Sequence, residues 1–304
     1  MKHLIIPIAI IMINYSAQAQ VWLDTNLYPF KSHYFSTPSG NIHYVDEGEG
    51  EVILFVHGTP AWSFLYRDYI AHFSNNYRCI AIDHLGFGLS DKPTNFNGTP
   101  QLHAKNLSKF IENLDLQNIT LVVHDFGGPI GLAAAIQNNQ RIKNVVLFNT
   151  WLWETKNNPE ALKVDKILNS WMGKFLYLNL NFSPKVLLKQ GVYDKNNIPK
   201  NVHQHYIKPF PTKASRSGLL NIGKALVGSS DWYQSQWEQI NKISNKPCLI
   251  LWGNKDKFIT PYFLEKWEQA LPKAKVIKFE CGHFIQEEKT LESILEIERF
   301  LQDN

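Results

Sequence analysis

The feature that most constrains this sequence is a predicted strand, a sharp corner and a helix at residues 119–136. Residues 119–123 form an apolar, β-branched run, which predicts a buried strand. Gly127 and Gly128 then predict a tight turn into a helix. A turn of this kind, the nucleophile elbow, raises one side chain above the end of a sheet. Asp125 occupies its apex. We therefore predict a carboxylate nucleophile, which can attack a saturated carbon and become an ester.

Predicted strands and helices alternate along most of the chain. Strands are expected at 41–45, 52–56, 78–82, 119–123, 144–148, 248–252 and 275–279, and helices at 100–113, 129–137, 261–270 and 290–302. This alternation predicts an α/β fold, a mostly parallel sheet with helices on both faces. It breaks at 151–236, where helical patterns and many aromatic residues predict an inserted helical cap over the sheet edge that binds ligands. The core is thus predicted in two parts, 20–150 and 237–304.

The first 19 residues have the pattern of a secretory signal peptide. A short basic start precedes an apolar run at 4–13, and Ala17-Gln18-Ala19 has the small residues of a cleavage site. We expect cleavage after Ala19 and a mature protein that begins at Gln20. This predicts a periplasmic or secreted protein with no membrane contact after cleavage.

Charge and cysteine content exclude several other classes of protein. The 31 basic and 27 acidic residues of the 304 give a net charge of only +4, without a basic run, so nucleic acid is not an expected partner. Cys79, Cys248 and Cys281 lie in or beside apolar runs and are expected to be small buried side chains. Their spacing fits no zinc site, and no metal is predicted. The sequence leaves the oligomeric state open.

Three further motifs complete a predicted catalytic site. The loop at His57-Gly58-Thr59-Pro60 follows a strand, so the backbone N–H groups of Thr59 and Phe126 are predicted to form an oxyanion hole. His283 follows the last predicted strand and is the expected general base. Asp256 follows the strand before it, where a carboxylate can accept the Nδ1–H of a histidine and fix its tautomer. The chain order of nucleophile, acid and base is typical of this fold.

These motifs give the chain a family resemblance. It resembles the haloalkane dehalogenases of the α/β-hydrolase superfamily in the stretches HGTPAWSFLYR at 57–67, DHLGFGLSDKP at 83–93 and HDFGG at 124–128, and in the loops of Asp256 and His283. The resemblance implies attack of Asp125 on a carbon–halogen bond, an alkyl ester, and hydrolysis by water that His283 activates. The products would be an alcohol and a halide, and no cofactor is implied.

Two positions depart from the pattern of that family. Its members usually have Trp after the nucleophile and Asn after His-Gly, both of which bind the leaving halide. This chain has Phe126 and Thr59 there. Another N–H must then serve the leaving group, since an unpaired anion in an apolar pocket is costly. Among Trp151, Trp153 and Trp171 at the predicted cap, we favour Trp151, because it is nearest to the sheet edge.

Other functions fit the same residues. An epoxide hydrolase would use the same Asp-His-Asp set with tyrosines to protonate the ring oxygen, and Tyr177, Tyr193 and Tyr206 lie in the cap segment. A β-lactone-processing relative of the dehalogenases is a further enzyme of this type. From a different class, the chain could be a catalytically silent small-molecule binder.

Overall fold

A computed structural model describes residues 22–304 of the chain. The predicted signal peptide at 1–19 lies outside the described residues. Eight strands form one sheet: β1 His33–Thr37, β2 Gly40–Glu47, β3 Val52–Val56, β4 Arg78–Ile82, β5 Ile119–Asp125, β6 Ile142–Thr150, β7 Cys248–Gly253 and β8 Lys275–Phe279.

The strand order is β1-β2-β4-β3-β5-β6-β7-β8. The pairs β1–β2 and β2–β4 are antiparallel, and the other pairs are parallel. The central strands β3 and β5 are buried along their whole length, as is expected where helices cover both faces of a sheet. The predicted α/β fold is therefore confirmed. The edge strand β1 and its hairpin with β2 were not predicted.

The helices belong to two groups. Those of the core are α1 Arg67–Phe73, α2 Pro100–Asn113, α3 Gly127–Gln137, α10 Pro261–Ala270, α11 Ile285–Glu288 and α12 Thr290–Gln302. Those between β6 and β7 are α4 Pro159–Asn169, α5 Trp171–Leu180, α6 Leu188–Gly191, α7 Lys200–Ile207, α8 Ser217–Gly228 and α9 Ser230–Trp237. We call the second group the cap. No helix in the described part of the chain is long and apolar enough to cross a membrane.

Two apolar cores lie on opposite faces of the sheet. Side chains of α2, α3 and α10 pack on one face, and those of α1 and α12 pack on the other. Adjacent residues of β3 alternate between them: Leu54 and Val56 face the first core, Ile53 and Phe55 the second. The three cysteines are buried and free, as expected for apolar filling. This packing fixes the carboxyl ends of the parallel strands, from which the loops described next arise.

Candidate active site

The elbow after β5 is tightly constrained. Asp125 has a φ of 53°, a conformation that costs a non-glycine residue about 1–3 kcal/mol and is concentrated at functional sites. A Cβ atom on Gly127 would lie 2.2 Å from the carbonyl oxygen of Val56, so only glycine allows α3 to start this close to β3. A Cβ atom on Gly58 would lie 2.2 Å from Oδ1 of Asp125. The two glycines thus leave room for the elbow and for its carboxylate.

The structure brings the three predicted side chains of the triad together. The Nδ1–H of His283 donates to Oδ2 of Asp256 at 2.7 Å, and its Nε2 lies 3.5 Å from Oδ2 of Asp125. Burial lowers the pKa of His283, but the charges of Asp256 and Asp125 outweigh this effect and raise the pKa to about 10. In the free enzyme the imidazolium is therefore stabilised between two carboxylates.

Several donors hold the Asp256 carboxylate in place. Its Oδ1 accepts from the backbone N–H groups of Phe258 at 2.7 Å and Ile259 at 3.1 Å. Its Oδ2 accepts from the Asn149 side chain at 2.9 Å as well as from His283. Asn149 in turn accepts from the Gly253 N–H at 2.8 Å. The sequence analysis missed Asn149, although its place near the end of the buried β6 was a signal for a residue of the site.

Of the two N–H groups predicted to form an oxyanion hole, one contacts the Asp125 carboxylate. The Thr59 N–H donates to Oδ1 of Asp125 at 2.7 Å, so it already points at the carboxylate that would become the ester. Phe126 follows Asp125 at the start of α3. Among the hydrogen bonds of residues 22–304, none joins the Phe126 N–H to that carboxylate. Its assigned role therefore stays a prediction.

Two buried histidines position the loops of the site. The Nε2 of His57 accepts from the His84 N–H at 3.0 Å, so its Nδ1–H donates to the Gly58 carbonyl oxygen at 2.7 Å. His124 donates from Nε2 to the carbonyl oxygen of His283 at 2.9 Å. Burial lowers the pKa of both His57 and His124, and the nearby His283 lowers that of His124 further. Both rings are therefore neutral and act as hydrogen-bonding supports.

The loop of His283 is also tied to the cap. Its backbone N–H donates to the Gly191 carbonyl oxygen at 2.7 Å. The buried Glu288 accepts from the Gly282 N–H at 2.7 Å through Oε1, and from the N–H groups of Tyr193 and Asp194 at 3.0 and 2.9 Å through Oε2. One carboxylate thus joins the catalytic loop to the cap segment 191–194.

A cavity of about 540 Å³ opens above the elbow, within the size range of small-molecule sites. Strand ends supply Asp125, His283 and Thr59, and the cap supplies residues that include Val164 and Tyr177. Most of the lining is apolar. Within residues 22–304, no cluster of three or more His, Cys, Asp or Glu side chains could hold a metal ion.

Two residues that line this cavity each carry a buried donor without a hydrogen-bond partner. Trp151 directly follows Thr150, which pairs with Asp125 in the sheet. The Trp151 and Phe126 rings pack edge to face, with 4.9 Å between their centroids. The Nε1 of Trp151 is buried without a hydrogen-bond partner, and so is the hydroxyl of Thr59. From the sequence, Thr59 was expected to contribute a backbone N–H to the oxyanion hole, and its side chain was expected only to lack the amide of the usual Asn. The structure shows that its hydroxyl, a donor of another kind, lies at the site.

The other aromatic candidates lie elsewhere. Trp153 packs among Trp237, Phe263 and Trp267 and does not line the cavity, and Trp171 is exposed. Among the three tyrosines, the Tyr206 hydroxyl donates to Glu287, and Tyr193 is mostly exposed. Tyr177 lines the cavity, and burial raises its pKa to about 12, so its hydroxyl keeps its proton.

Comparison with known proteins adds to this geometry. A family model described as alpha/beta hydrolase fold matches residues 51–290. The chain is 35% identical to the cis-3-alkyl-4-alkyloxetan-2-one decarboxylase of Shewanella oneidensis over 92% of this chain and 91% of that protein. It is 34% identical to haloalkane dehalogenase 2 of Mycobacterium tuberculosis over 87% and 93%, respectively. The solved haloalkane dehalogenase DatA of Agrobacterium tumefaciens superposes with a TM-score of 0.81 at 25% identity, over 90% of this chain and 96% of that one.

Proposed function

Given that the chain belongs to the haloalkane dehalogenase family of the α/β-hydrolase superfamily and is a hydrolase, we propose that it cleaves the carbon–halogen bonds of haloalkanes. The observation that carries this proposal is a pair of buried, unbonded donors, Trp151 Nε1–H and Thr59 Oγ–H, on residues that line the same cavity as Asp125. A departing halide needs such donors in an apolar pocket, because an unpaired buried anion is unstable. In this chain they take the place of the indole and amide expected at 126 and 59.

In the first step, Asp125 attacks the carbon from the side opposite the halogen. A carbon–oxygen bond forms, the carbon–halogen bond breaks, and the halide leaves with the bonding electrons. Trp151 and Thr59 stabilise the developing negative charge. The product is an alkyl ester of Asp125, whose carboxylate no longer carries a charge.

The second step is hydrolysis of this ester. Loss of the Asp125 charge removes one of the groups that raise the pKa of His283, so the imidazole releases its proton more readily. The neutral His283 then takes a proton from water, which attacks the ester carbonyl carbon. The Thr59 and Phe126 N–H groups stabilise the oxyanion. The bond between the carbonyl carbon and the alkoxy oxygen then breaks, and the alkoxy oxygen takes the proton of the newly added hydroxyl. The alcohol leaves, the Asp125 carboxylate is regenerated, and Asp256 stabilises the imidazolium.

A single-turnover experiment in H₂¹⁸O tests this order of events. With the enzyme in excess over 1-bromohexane, the alcohol should be unlabelled, because its oxygen comes from Asp125. The label should appear in the Asp125 peptide. Labelled alcohol in the first turnover would mean direct attack by water. No halide release from any of a series of chloro-, bromo- and iodoalkanes would overturn the proposed substrate class.

A β-lactone is the second candidate substrate. The observation in its favour is the 35% identity to a protein named as a decarboxylase of a dialkyl oxetanone. Attack of Asp125 on C4, the saturated ring carbon bonded to the ring oxygen, would break that carbon–oxygen bond and release a carboxylate. The same two donors can bind this anion. A cis-3,4-dialkyl-oxetan-2-one and styrene oxide belong in the same screen. The second compound tests the epoxide alternative, for which Tyr177 is the protonated hydroxyl at the cavity.

We further propose that the protein is exported. The support is the sequence pattern at residues 1–19. N-terminal sequencing of protein from the native host should begin at Gln20. A cytoplasmic protein that keeps residues 1–19 would contradict this proposal.

A further inference from the structure

The outer face of the cap exposes an apolar surface. We call it the cap patch and define it by five of the exposed apolar side chains of α4 and α5: Leu162, Ile167, Trp171, Met172 and Phe175. Trp171 is 79% exposed and Met172 is 52% exposed. Scattered exposed apolar residues are ordinary, but a contiguous group on two packed helices marks an interaction site.

Helix α5 has its apolar residues on both sides. Gly173 and Tyr177 are buried on the inner side. Trp171, Lys174 and Phe175 follow the three- and four-residue spacing of the opposite side and are all exposed. A surface helix ordinarily has a polar outer face, whereas this one carries an indole and a phenyl ring beside a lysine. Exposed Trp and Phe side chains beside a lysine are among the features of helices that lie in the interface of a bilayer.

The two helices that carry the cap patch also form part of the cavity wall. Ala161 and Val164 of α4 and Tyr177 of α5 line the cavity, so the same two helices form its wall and carry the patch. Val164 is also partly exposed, as are Phe258 and Tyr262, which line the cavity from the core side. The rim of the cavity is therefore apolar next to the patch.

The charge of the cap identifies the kind of surface that it fits. Residues 156–216 contain ten lysines and one arginine but only three acidic residues, although the whole chain has a net charge of only +4. All ten lysines are exposed. Lys166 and Lys174 lie on α4 and α5 themselves, whereas Lys163 on α4 pairs with Glu160 at 2.6 Å. Basic residues around exposed aromatic and aliphatic side chains are complementary to anionic lipid headgroups over an apolar layer.

We propose that the cap patch docks on a membrane surface that contains anionic phospholipids, so that an apolar substrate passes from the bilayer into the cavity. Such docking needs no membrane-spanning helix, since the side chains insert only to the level of the headgroups. This proposal departs from the sequence-based prediction that the mature protein has no membrane contact. A second copy of the chain is the less suitable occupant, because a two-fold interface would place one basic face against another.

Co-sedimentation of the mature protein with vesicles tests the docking without any turnover, so its outcome is independent of the substrate. We expect binding to vesicles of phosphatidylglycerol and phosphatidylcholine, and at least tenfold weaker binding to pure phosphatidylcholine. Binding should also weaken as salt rises, since the Debye length is only about 10 Å at 0.1 M. Absence of binding to the anionic vesicles at low salt would overturn the proposal.

Matched variants locate the docking surface. Trp171→Ser with Phe175→Ser should lower binding at least tenfold, whereas Leu291→Ser, an equally exposed apolar residue on α12, should not. The double variant Lys166→Glu and Lys174→Glu should also lower binding at least tenfold. The control is the double variant Lys105→Glu and Lys109→Glu on α2, which should leave binding unchanged. Because none of these residues lines the cavity, hydrolysis of a water-soluble substrate should be unchanged. Equal losses in the cap and control variants would contradict the proposal, as would a dimer in gel filtration that Trp171→Ser dissociates.

Discussion

Replacement of Trp151 by Phe removes one of the two donors assigned to the leaving group. Phe retains an aromatic ring against Phe126, so the change mainly deletes the indole N–H. This group is buried and has no protein partner, so it can donate to a departing anion without first breaking another hydrogen bond. A hydrogen bond to a charged group contributes about 1.5–3 kcal/mol. At about 1.4 kcal/mol per tenfold change in rate, a contribution of ~2 kcal/mol predicts carbon–halogen cleavage that is roughly 30-fold slower.

The assay is single-turnover halide release, because the donor acts in the first step. The loss should be larger for a chloroalkane than for an iodoalkane, since chloride is the poorer leaving group and depends more on stabilisation. Trp153→Phe is the matched control: it deletes an indole two residues away that does not line the cavity. If Trp151→Phe and Trp153→Phe release chloride at equal rates, Trp151 does not bind the leaving group and the reasoning from its unbonded N–H fails.

Four further changes test the rest of the site. His283→Phe should let the Asp125 ester accumulate, seen as an added alkyl mass on the intact protein; no adduct from a substrate that the wild type hydrolyses would refute the two-step scheme. Asp125→Asn should lower the pKa of His283 from about 10, because one of two neighbouring carboxylates is lost, and an unchanged NMR titration would contradict this. Phe126→Trp should speed bromide release by supplying a second indole N–H, and a slower or equal rate in a folded variant would count against the leaving-group site. Glu288→Ala leaves the buried Gly282 N–H unpaired and should lower the free energy of unfolding by about 1–3 kcal/mol. Glu288→Gln, which keeps an acceptor oxygen, should cause a smaller loss. Equal urea midpoints for wild type and both variants would show that this carboxylate is not a structural link.

Much of the fold could be predicted because its elements have strong and regular patterns. The continuous apolar run of β3 and the proline-started helices α2 and α10 begin and end as predicted. Strand β1 was missed because HYFST alternates only between half-buried and exposed positions at the sheet edge, so it lacks the apolar signal of the inner strands. The helix α1 was likewise not predicted.

The site was predictable where a residue type and its place after a strand act together. Asp125, Asp256 and His283 each stand at or after the carboxyl end of a parallel strand, and the sheet brings these ends to one edge. Glu288 gave no comparable signal, and Asn149 gave only its place near the end of β6. Both are polar residues that are usually exposed, and their burial depends on partners more than 90 residues away in the chain. Only the folded structure shows those partners.

The bonds between the cap and the loop of His283 divide the cap into two regions with different freedom to change in evolution. The segment 191–194 cannot move away as a hinged lid without breaking the hydrogen bonds that hold the loop of His283. An insertion or deletion there would therefore alter catalysis as well as access. Helices α4 and α5 carry no such bond to the catalytic loop among the described contacts, so their outer residues can diverge between relatives without disturbing the triad. Adaptation to a new environment or substrate source can thus proceed through α4 and α5 while the chemistry stays fixed.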